Sequence, residues 1–472
     1  MIRRIYLLLA GLYACLSVFA QPKPLNVLVL YSDDQRYNTI HALGNEEIFT
    51  PNLDRLVTSG VAFTRAHTMG GMHGALCAPS RAMLHTAKYL HSLERKGDFI
   101  PPTHIMMPEY LQTLGYKTYG IGKWHNDKAA FNRAYQDGGG IYFGGMHFPK
   151  DGGQESPRYV EYDATGKYDV PFQHAEKFSS EFYADHAISF LNRQKEATQP
   201  FLCYVAFTSP HDPRTPPQKF RDMYPWQKVS LPPNFLPQHP FDNGDLKVRD
   251  EMLLPRPLTE EMARKELALY YGMISELDFQ IGRILDVLEA NGQRENTLIV
   301  FAGDNGLAVG SHGLLGKQNI YDHSMRVPMI FSHHSLPQNQ QRNQLCYLAD
   351  IFPTVMDILQ VNAPEGLQST SLFPYIQKPG ANGRKAIYYA YRDIQRGVRT
   401  DDNWKLIRYN VNETETTQLF NLNTDPFETK NLIENKQFEK KYRKLNQLLT
   451  KQMEQYHDFL NLTLPNWGKT QP

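Results

Sequence analysis

Apolar runs of strand length alternate with stretches of helical period along most of the chain. Asn26 to Tyr31 reads as a first buried strand and Pro51 to Gly60 as a short helix. Lys117 to Ile121, Phe201 to Phe207 and Thr297 to Ala302 read as further strands. Between the last two, Leu267, Tyr270, Tyr271, Ile274, Leu277, Ile281, Ile284, Leu285 and Leu288 recur on one face of a long amphipathic helix. Strands alternating with helices predict an α/β fold: a large, mostly parallel sheet covered by helices on both faces. Ligands of such folds bind beyond the carboxyl ends of the strands, so polar residues just after strands are the candidates for chemistry.

The pattern changes after about residue 380. Ala386 to Tyr391, Trp404 to Tyr409 and Gln418 to Leu422 read as short strands joined by polar turns, with a Lys- and Glu-rich helix from about Asn431 to Tyr456. This predicts a smaller C-terminal antiparallel sheet plus helix over 381–472, following a catalytic domain over 21–380. The face carrying Lys436, Lys440, Lys441 and Lys444 reads as a solvated helix face. Asp137 to Gly153, rich in glycine and aromatics, and Arg214 to Pro257, rich in proline, read as long loops.

The first residues form a separate unit. Arg3 and Arg4 precede an apolar run from Ile5 to Leu16, and Val18-Phe19-Ala20 ends it on a small residue. That is the pattern of a secretory signal peptide over residues 1–20, shorter than a membrane span, so the protein is expected to be periplasmic or extracellular with no transmembrane segment. Lipidation at Cys15 is the lesser alternative, because Tyr13 is bulky for such a site.

Composition narrows the field. Hydrophobic residues make up 41% and charged residues 21%, ordinary for a globular protein, and 50 Lys plus Arg against 49 Asp plus Glu exclude the basic footprint of a nucleic-acid binder. An anionic substrate must therefore be attracted by local charge. Cys77, Cys203 and Cys346 are too scattered for a zinc site or a disulfide framework, which leaves one of them free for chemistry.

The candidate is Cys77, in Cys77-Ala78-Pro79-Ser80-Arg81, a segment that by itself reads either as a reactive thiol or as a small buried residue. Proline near the start and Ser80 to Ala87 beyond it read as a helix with Cys77 just ahead of its N-terminus, where free N–H groups favour anions and lower a thiol's pKa. Arg81 lies one turn on. Asp33 and Asp34 directly follow the first strand, and Asp304-Asn305-Gly306 follows the strand Thr297 to Ala302 in the same way. Two such strand ends can converge on one hard cation through oxygen ligands, which suits calcium. Gly115 to His125 reads as a strand ending in a glycine turn that projects Lys123 and His125. Ser209-Pro210-His211-Asp212-Pro213 ends the strand Phe201 to Phe207, and Gly310 to Lys317 forms a Gly-rich loop.

Taken together, these five elements resemble the formylglycine-dependent sulfatases of the alkaline-phosphatase-like superfamily, and the resemblance spans roughly Asn26 to Leu432. It implies that a maturation enzyme oxidises Cys77 to formylglycine. Asp33, Asp34, Asp304 and Asn305, with the modified Cys77, would hold one calcium ion. A hydroxyl of the formylglycine gem-diol would attack sulfur, with Arg81, Lys123 and Lys317 stabilising the sulfuryl oxygens. His211, ahead of His125, would protonate the leaving alcohol, and the other histidine would assist release of sulfate. The expected substrate is a sulfated glycan of glycosaminoglycan type. His73, Arg392 and Arg396 are candidates for sugar contacts. Departures from the family pattern include Leu84-His85, Thr86-Ala87 and Asp322, where Glu is common. Two alternatives stand beside this: a phosphodiesterase or phosphonate hydrolase with the same nucleophile, and a non-catalytic binder of sulfated glycans if Cys77 stays a thiol.

Overall fold

The computed structural model describes residues 23–464 and Trp467, so the signal segment and Cys15 lie outside the described residues. Its main body is an eight-stranded sheet. The strands are β1 (Asn26–Ser32), β2 (Gly60–Phe63), β4 (Lys117–Lys123), β5 (Asp137–Tyr142), β6 (Phe201–Ala206), β7 (Thr297–Gly303), β8 (Met329–Ser332) and β9 (Gln340–Arg342). They lie in the order β9-β2-β8-β7-β1-β6-β4-β5, and only β8 runs against the others. Strand β3 (Gly70–Gly71) belongs to a second sheet.

Strand periodicity sorts the core into two layers. Val27, Val29 and Tyr31 of β1 face one layer with Leu202, Tyr204, Val300 and Ala302. Leu28 and Leu30 face the other with Cys203, Val205, Ile299 and Phe301. The second layer is roofed by α1 (Pro51–Thr58), α4 (Ser179–Arg193) and α5 (Glu260–Ala290), the last contributing Leu277, Ile281, Ile284, Leu285 and Leu288 as its spacing predicts. Thr259 caps α5 by accepting the Met262 N–H at 3.2 Å, and Glu260 and Glu261 sit on the positive end of its dipole. The first layer is covered by α2 (Cys77–Thr86), α3 (Met107–Thr113) and the helix Ile351–Ile358.

The C-terminal sheet joins β10 (Ala386–Tyr391), β11 (Gln395–Thr400), β12 (Trp404–Val411) and β13 (Thr414–Asn421), each antiparallel to the next. Leu445, Leu449 and Met453 of α6 (Glu439–Gln455) pack on it. Its fifth strand is β3, which pairs in parallel with Ala390 and Tyr391 a few residues before Cys77. Gly70 has φ 107°, and a Cβ there would stand 2.0 Å from the Ala390 carbonyl oxygen, so the approach requires glycine.

Two expectations need correction. The segment from Asp137 begins as a strand, not a loop: Asp137–Tyr142 is the edge strand β5, hidden from pattern reading by its run of glycines. The last helix starts at Glu439, because the residues ahead of it form a 3₁₀ turn, Lys436–Phe438, capped by the Asn435 side chain. Arg214 to Pro257 does lack strands, carrying the short helix Gln218–Arg221 and the 3₁₀ turns Trp226–Lys228 and Arg249–Met252. Cys77, Cys203 and Cys346 are free and buried. Among the described residues no helix is long and apolar enough to cross a membrane.

Candidate active site

The central strands deliver the site at their carboxyl ends. Asp33 and Asp34 follow β1, Lys123 ends β4, His211 lies in the turn after β6, and Asp304 and Asn305 follow β7. Cys77 is the first residue of α2 rather than preceding it, and is 1% exposed. Arg81, one turn into α2, reaches the same point from beneath.

The geometry is a closed cluster of opposite charges. The Cys77 thiol donates to Asp33 Oδ1 at 3.2 Å, and Lys317 Nζ stands 3.2 Å from the same sulfur and 2.6 Å from Asp34 Oδ1. Lys123 Nζ contacts Asp33 Oδ2. Arg81 donates to Asp304 Oδ2 at 3.0 Å and through its other nitrogen to the Lys123 carbonyl at 2.9 Å and Tyr204 Oη at 3.2 Å. Asp304 Oδ1 accepts the Asp34 N–H at 2.9 Å and the Asn305 N–H at 2.8 Å, while Asn305 Nδ2 donates to Asp34 Oδ1 at 2.7 Å. His211 Nε2 is 3.6 Å from Asp34 Oδ2. Thus Cys77, Arg81, Lys123, His211, Lys317, Asp33, Asp34, Asp304 and Asn305 meet at one point.

Local backbone places these groups. Gly122 has φ 81° and lies so close to β6 that a Cβ would be 2.0 Å from the Ala206 carbonyl oxygen, which turns Lys123 inward. Asp34 itself takes φ 64°, and Tyr270 of α5 donates to its carbonyl at 2.5 Å. His125 also has positive φ, 65°, and its Nδ1 is buried without a hydrogen-bond partner. His211 and Asp212 lie between cis peptide bonds to Pro210 and Pro213.

Electrostatics follow from burial and this pairing. Burial works to raise Asp304, but Arg81 and Lys123 outweigh it and hold the carboxyl below its ordinary value. Burial works to lower Lys317, but Asp34 and Cys77 outweigh it and hold the ammonium charged. The expectation of an acidic thiol at a helix N-terminus fails. Burial, then Asp304 and Asp33, push the Cys77 thiol well above its usual range, and Lys123 and Lys317 offset only part of this. Burial lowers His211 to about 4, and burial followed by Lys123, Arg81 and Lys317 holds His125 well below its usual value.

The donor set fits a hard divalent cation. One ligand atom each from Asp33, Asp34, Cys77 and His211 lies within 4.8 Å of the others, and Asn305 Oδ1 is buried with no hydrogen-bond partner. Carboxylate and amide oxygens are the ligands such an ion prefers.

The candidate sugar contacts divide. Arg396 is 0% exposed, ion-paired to Asp458 and donating to the Gln395 carbonyl at 2.9 Å, so it is a core residue of the second sheet. Its polar neighbours on β11 made it look like a surface residue. Arg392 pairs with Asp245 at 3.0 Å and His73 with Asp98 at 3.1 Å, both partly exposed. Asp322 accepts from Lys405 at 2.9 Å and from Arg399, which makes it an anchor between the sheets.

Three further groups join the site: Asp212, Arg249 and Asp250. Asp212 contacts His211, Arg249 contacts Asp212, and Asp250 bonds Gln318 next to Lys317. Asp212 and Gln318 adjoin recognised residues, but nothing in the proline-rich segment signals that Arg249 and Asp250 come back to them.

A mostly parallel α/β sheet thus gathers acids, lysines and histidines at its carboxyl edge, where such folds bind their ligands. Residues 25–361 match the family described as Sulfatase, and residues 310–455 match the one described as N-sulphoglucosamine sulphohydrolase, C-terminal. The chain belongs to the sulfatase family and is a sulfuric ester hydrolase by that membership. It is 26% identical to the N-acetylglucosamine-6-O-sulfatase of Bacteroides thetaiotaomicron, over 92% of this chain and 87% of the relative. A protein solved in complex with its substrate D-glucosamine-2-N,6-O-disulfate is 23% identical and superposes with a TM-score of 0.76, over 93% of this chain and 99% of that one. The phosphonate monoester hydrolase of Agrobacterium radiobacter shares the fold at 20% identity and a TM-score of 0.72, over 92% and 96%.

Proposed function

We propose that the protein is an exported sulfatase that removes a sulfate group from a sulfated glycan of glycosaminoglycan type. The observation that carries this is the meeting of Arg81, Lys123 and Lys317 with Asp33, Asp34 and Asp304 around Cys77. Three cations stand against three carboxylates, so a bound divalent cation would leave a positive surplus for an anionic ester.

In this reading Cys77 is the precursor of formylglycine, whose hydrated aldehyde supplies the attacking oxygen. A raised thiol suits that role better than thiolate catalysis. Asp33, Asp34, Asp304 and Asn305, with residue 77, would hold calcium, which lends acidity to a hydroxyl at position 77 and neutralises negative charge. Arg81, Lys123 and Lys317 bind the sulfuryl oxygens and stabilise their developing charge. His211 protonates the leaving alcohol once the anionic ester beside it favours its cationic form, and His125 then takes the proton of the remaining hydroxyl at position 77, which expels sulfate and restores the aldehyde.

Sugar recognition falls to the rim. Phe148 and Phe172 are 40% and 39% exposed, with the Arg158 guanidinium 5.2 Å over the Phe172 ring. Such faces stack on sugar rings and pair with acidic groups. The 26%-identical relative named N-acetylglucosamine-6-O-sulfatase supports this substrate class. Residues 21–380 would form the catalytic unit and 381–472 one flank of its cleft.

The phosphonate hydrolase with the same fold defines the competing reading. The test is sulfate release from defined sulfated mono- and disaccharides with calcium present, beside turnover of a phosphodiester at the same pH. Release from a glycosaminoglycan-derived sugar is expected; faster phosphodiester cleavage would overturn the assignment.

A further inference from the structure

The segment Arg214 to Pro257, nearly without regular structure, returns to the site at the turn Arg249–Met252. What it does there is specific. Arg249 forms an ion pair with Asp212 Oδ2 and a longer contact of 3.3 Å with Oδ1. Asp212 is buried, and its Oδ1 and its own carbonyl lie 3.2 and 2.9 Å from His211 Nδ1. Two oxygen acceptors at Nδ1 require a hydrogen on that nitrogen, which leaves Nε2 as the one that faces Asp34 and the reaction centre. Beyond Arg249 the chain of contacts continues. Arg249 donates to Asp250 Oδ1 at 2.8 Å, Gln318 Nε2 donates to Asp250 Oδ2 at 2.8 Å, and Gln318 Oε1 accepts the Lys317 N–H at 3.0 Å. The neighbouring Glu251 accepts the N–H groups of Leu315 and Gly316 at 2.8 Å each, holding the loop that carries Lys317.

Resting on the sulfatase reading above, we propose that Asp212 and Arg249 are positioning residues. Asp212 holds the Nδ1–H of His211 and so turns Nε2, which carries the second proton when the ring is cationic, toward the leaving oxygen, and Arg249 holds Asp212 in place. Neither touches the ester. The arrangement joins the histidine of one strand end to the lysine loop of another through a third segment, so one strap sets both. Arg249 keeps 40% of its side chain exposed while its charge is taken by the carboxylates of Asp212 and Asp250.

Leaving-group dependence tests this, because a displaced proton donor harms an unactivated alcohol more than an activated phenol. Asp212→Ala, Asp212→Asn and Arg249→Met are compared with His211→Ala on a sulfated sugar and on 4-nitrophenyl sulfate, with thermal melts confirming folding. For Asp212→Ala the expected result is a fall in kcat of about tenfold or more on the sugar and about threefold or less on the aryl ester, KM being little changed. Asp212→Asn, which keeps an acceptor oxygen, is expected to recover part of the loss. Equal losses on both substrates in the Asp212 and Arg249 variants, with His211→Ala still selective, would overturn the positioning role alone. A His211→Ala variant that harms both substrates equally would instead overturn the assignment of His211 beneath it.

Discussion

Lys317 Nζ stands 3.2 Å from the sulfur of Cys77 and 2.6 Å from Asp34 Oδ1, so one ammonium holds both the reactive position and the carboxylate beside it. In protein from its native host, the peptide bearing residue 77 is expected to have the mass of the aldehyde and not the thiol. Mass spectrometry of the tryptic digest checks this, and Cys77→Ala should abolish turnover while leaving the melting temperature close to wild type.

Asn305 gives its amide hydrogens to Asp34 and Gly306 and keeps Oδ1 unpartnered. Asn305→Ala is expected to weaken calcium binding by about tenfold or more in calorimetric titration. In the wild type, chelation should lower the melting temperature and added calcium restore it, since an ion that binds only the folded chain stabilises it by mass action. Unaltered calcium affinity in Asn305→Ala would remove it from the ligand set.

Gly122→Ala tests how the backbone aims Lys123. With φ 81° and a new Cβ 2.0 Å from a carbonyl oxygen of β6, the strand end must move. The expected cost is at least about 2 kcal/mol in the denaturation midpoint, with a loss of activity larger than the folded fraction explains. Wild-type activity in a folded Gly122→Ala protein would contradict it.

Glu276 provides a pH test away from the reaction centre. It is buried in α5 with Oε2 unpartnered, and burial raises its carboxyl from 4.5 to about 7, the Ser180 and Gln280 contacts offsetting only part. A raised carboxyl keeps its proton in the folded chain after the unfolded chain has lost it. Its contribution is therefore full below about 4.5 and lost as pH rises to about 7, on the order of 3 kcal/mol. Glu276→Gln should melt near the wild-type temperature at acid pH and above it at pH above about 7. Parallel melting curves across that window would refute the shift.

Arg396→Ala tests the correction made for that residue. Removing a guanidinium that pairs with the buried Asp458 leaves an uncompensated carboxylate, at an expected cost of about 3–5 kcal/mol. Its effect on KM for a sulfated sugar should be small in whatever fraction folds. A stable variant with a raised KM would return Arg396 to the substrate.

Most of the central sheet is legible in sequence because β1, β6 and β7 are buried on both faces and so read as continuous apolar runs. The residues at their ends stand out for the same reason, polar groups directly after apolar ones. What escapes has a physical cause in each case. The glycines of β5 erase its pattern, β11 is buried although it carries Gln395, Arg396 and Arg399, and Arg249 reaches Asp212 through a segment with no periodicity at all. The direction of the Cys77 shift comes first from burial and then from Asp304 and Asp33, neighbours far away in sequence.

The pairing of Gly70 and Gly71 with Ala390 and Tyr391 has a consequence in time. The strand that clips down the chain just before Cys77 finds its partner only after nearly the whole polypeptide has been made. Until then the clip just ahead of Cys77 cannot be closed. On the formylglycine reading proposed above, an enzyme that modified a side chain destined to be 1% exposed would find it most accessible before that clip closes.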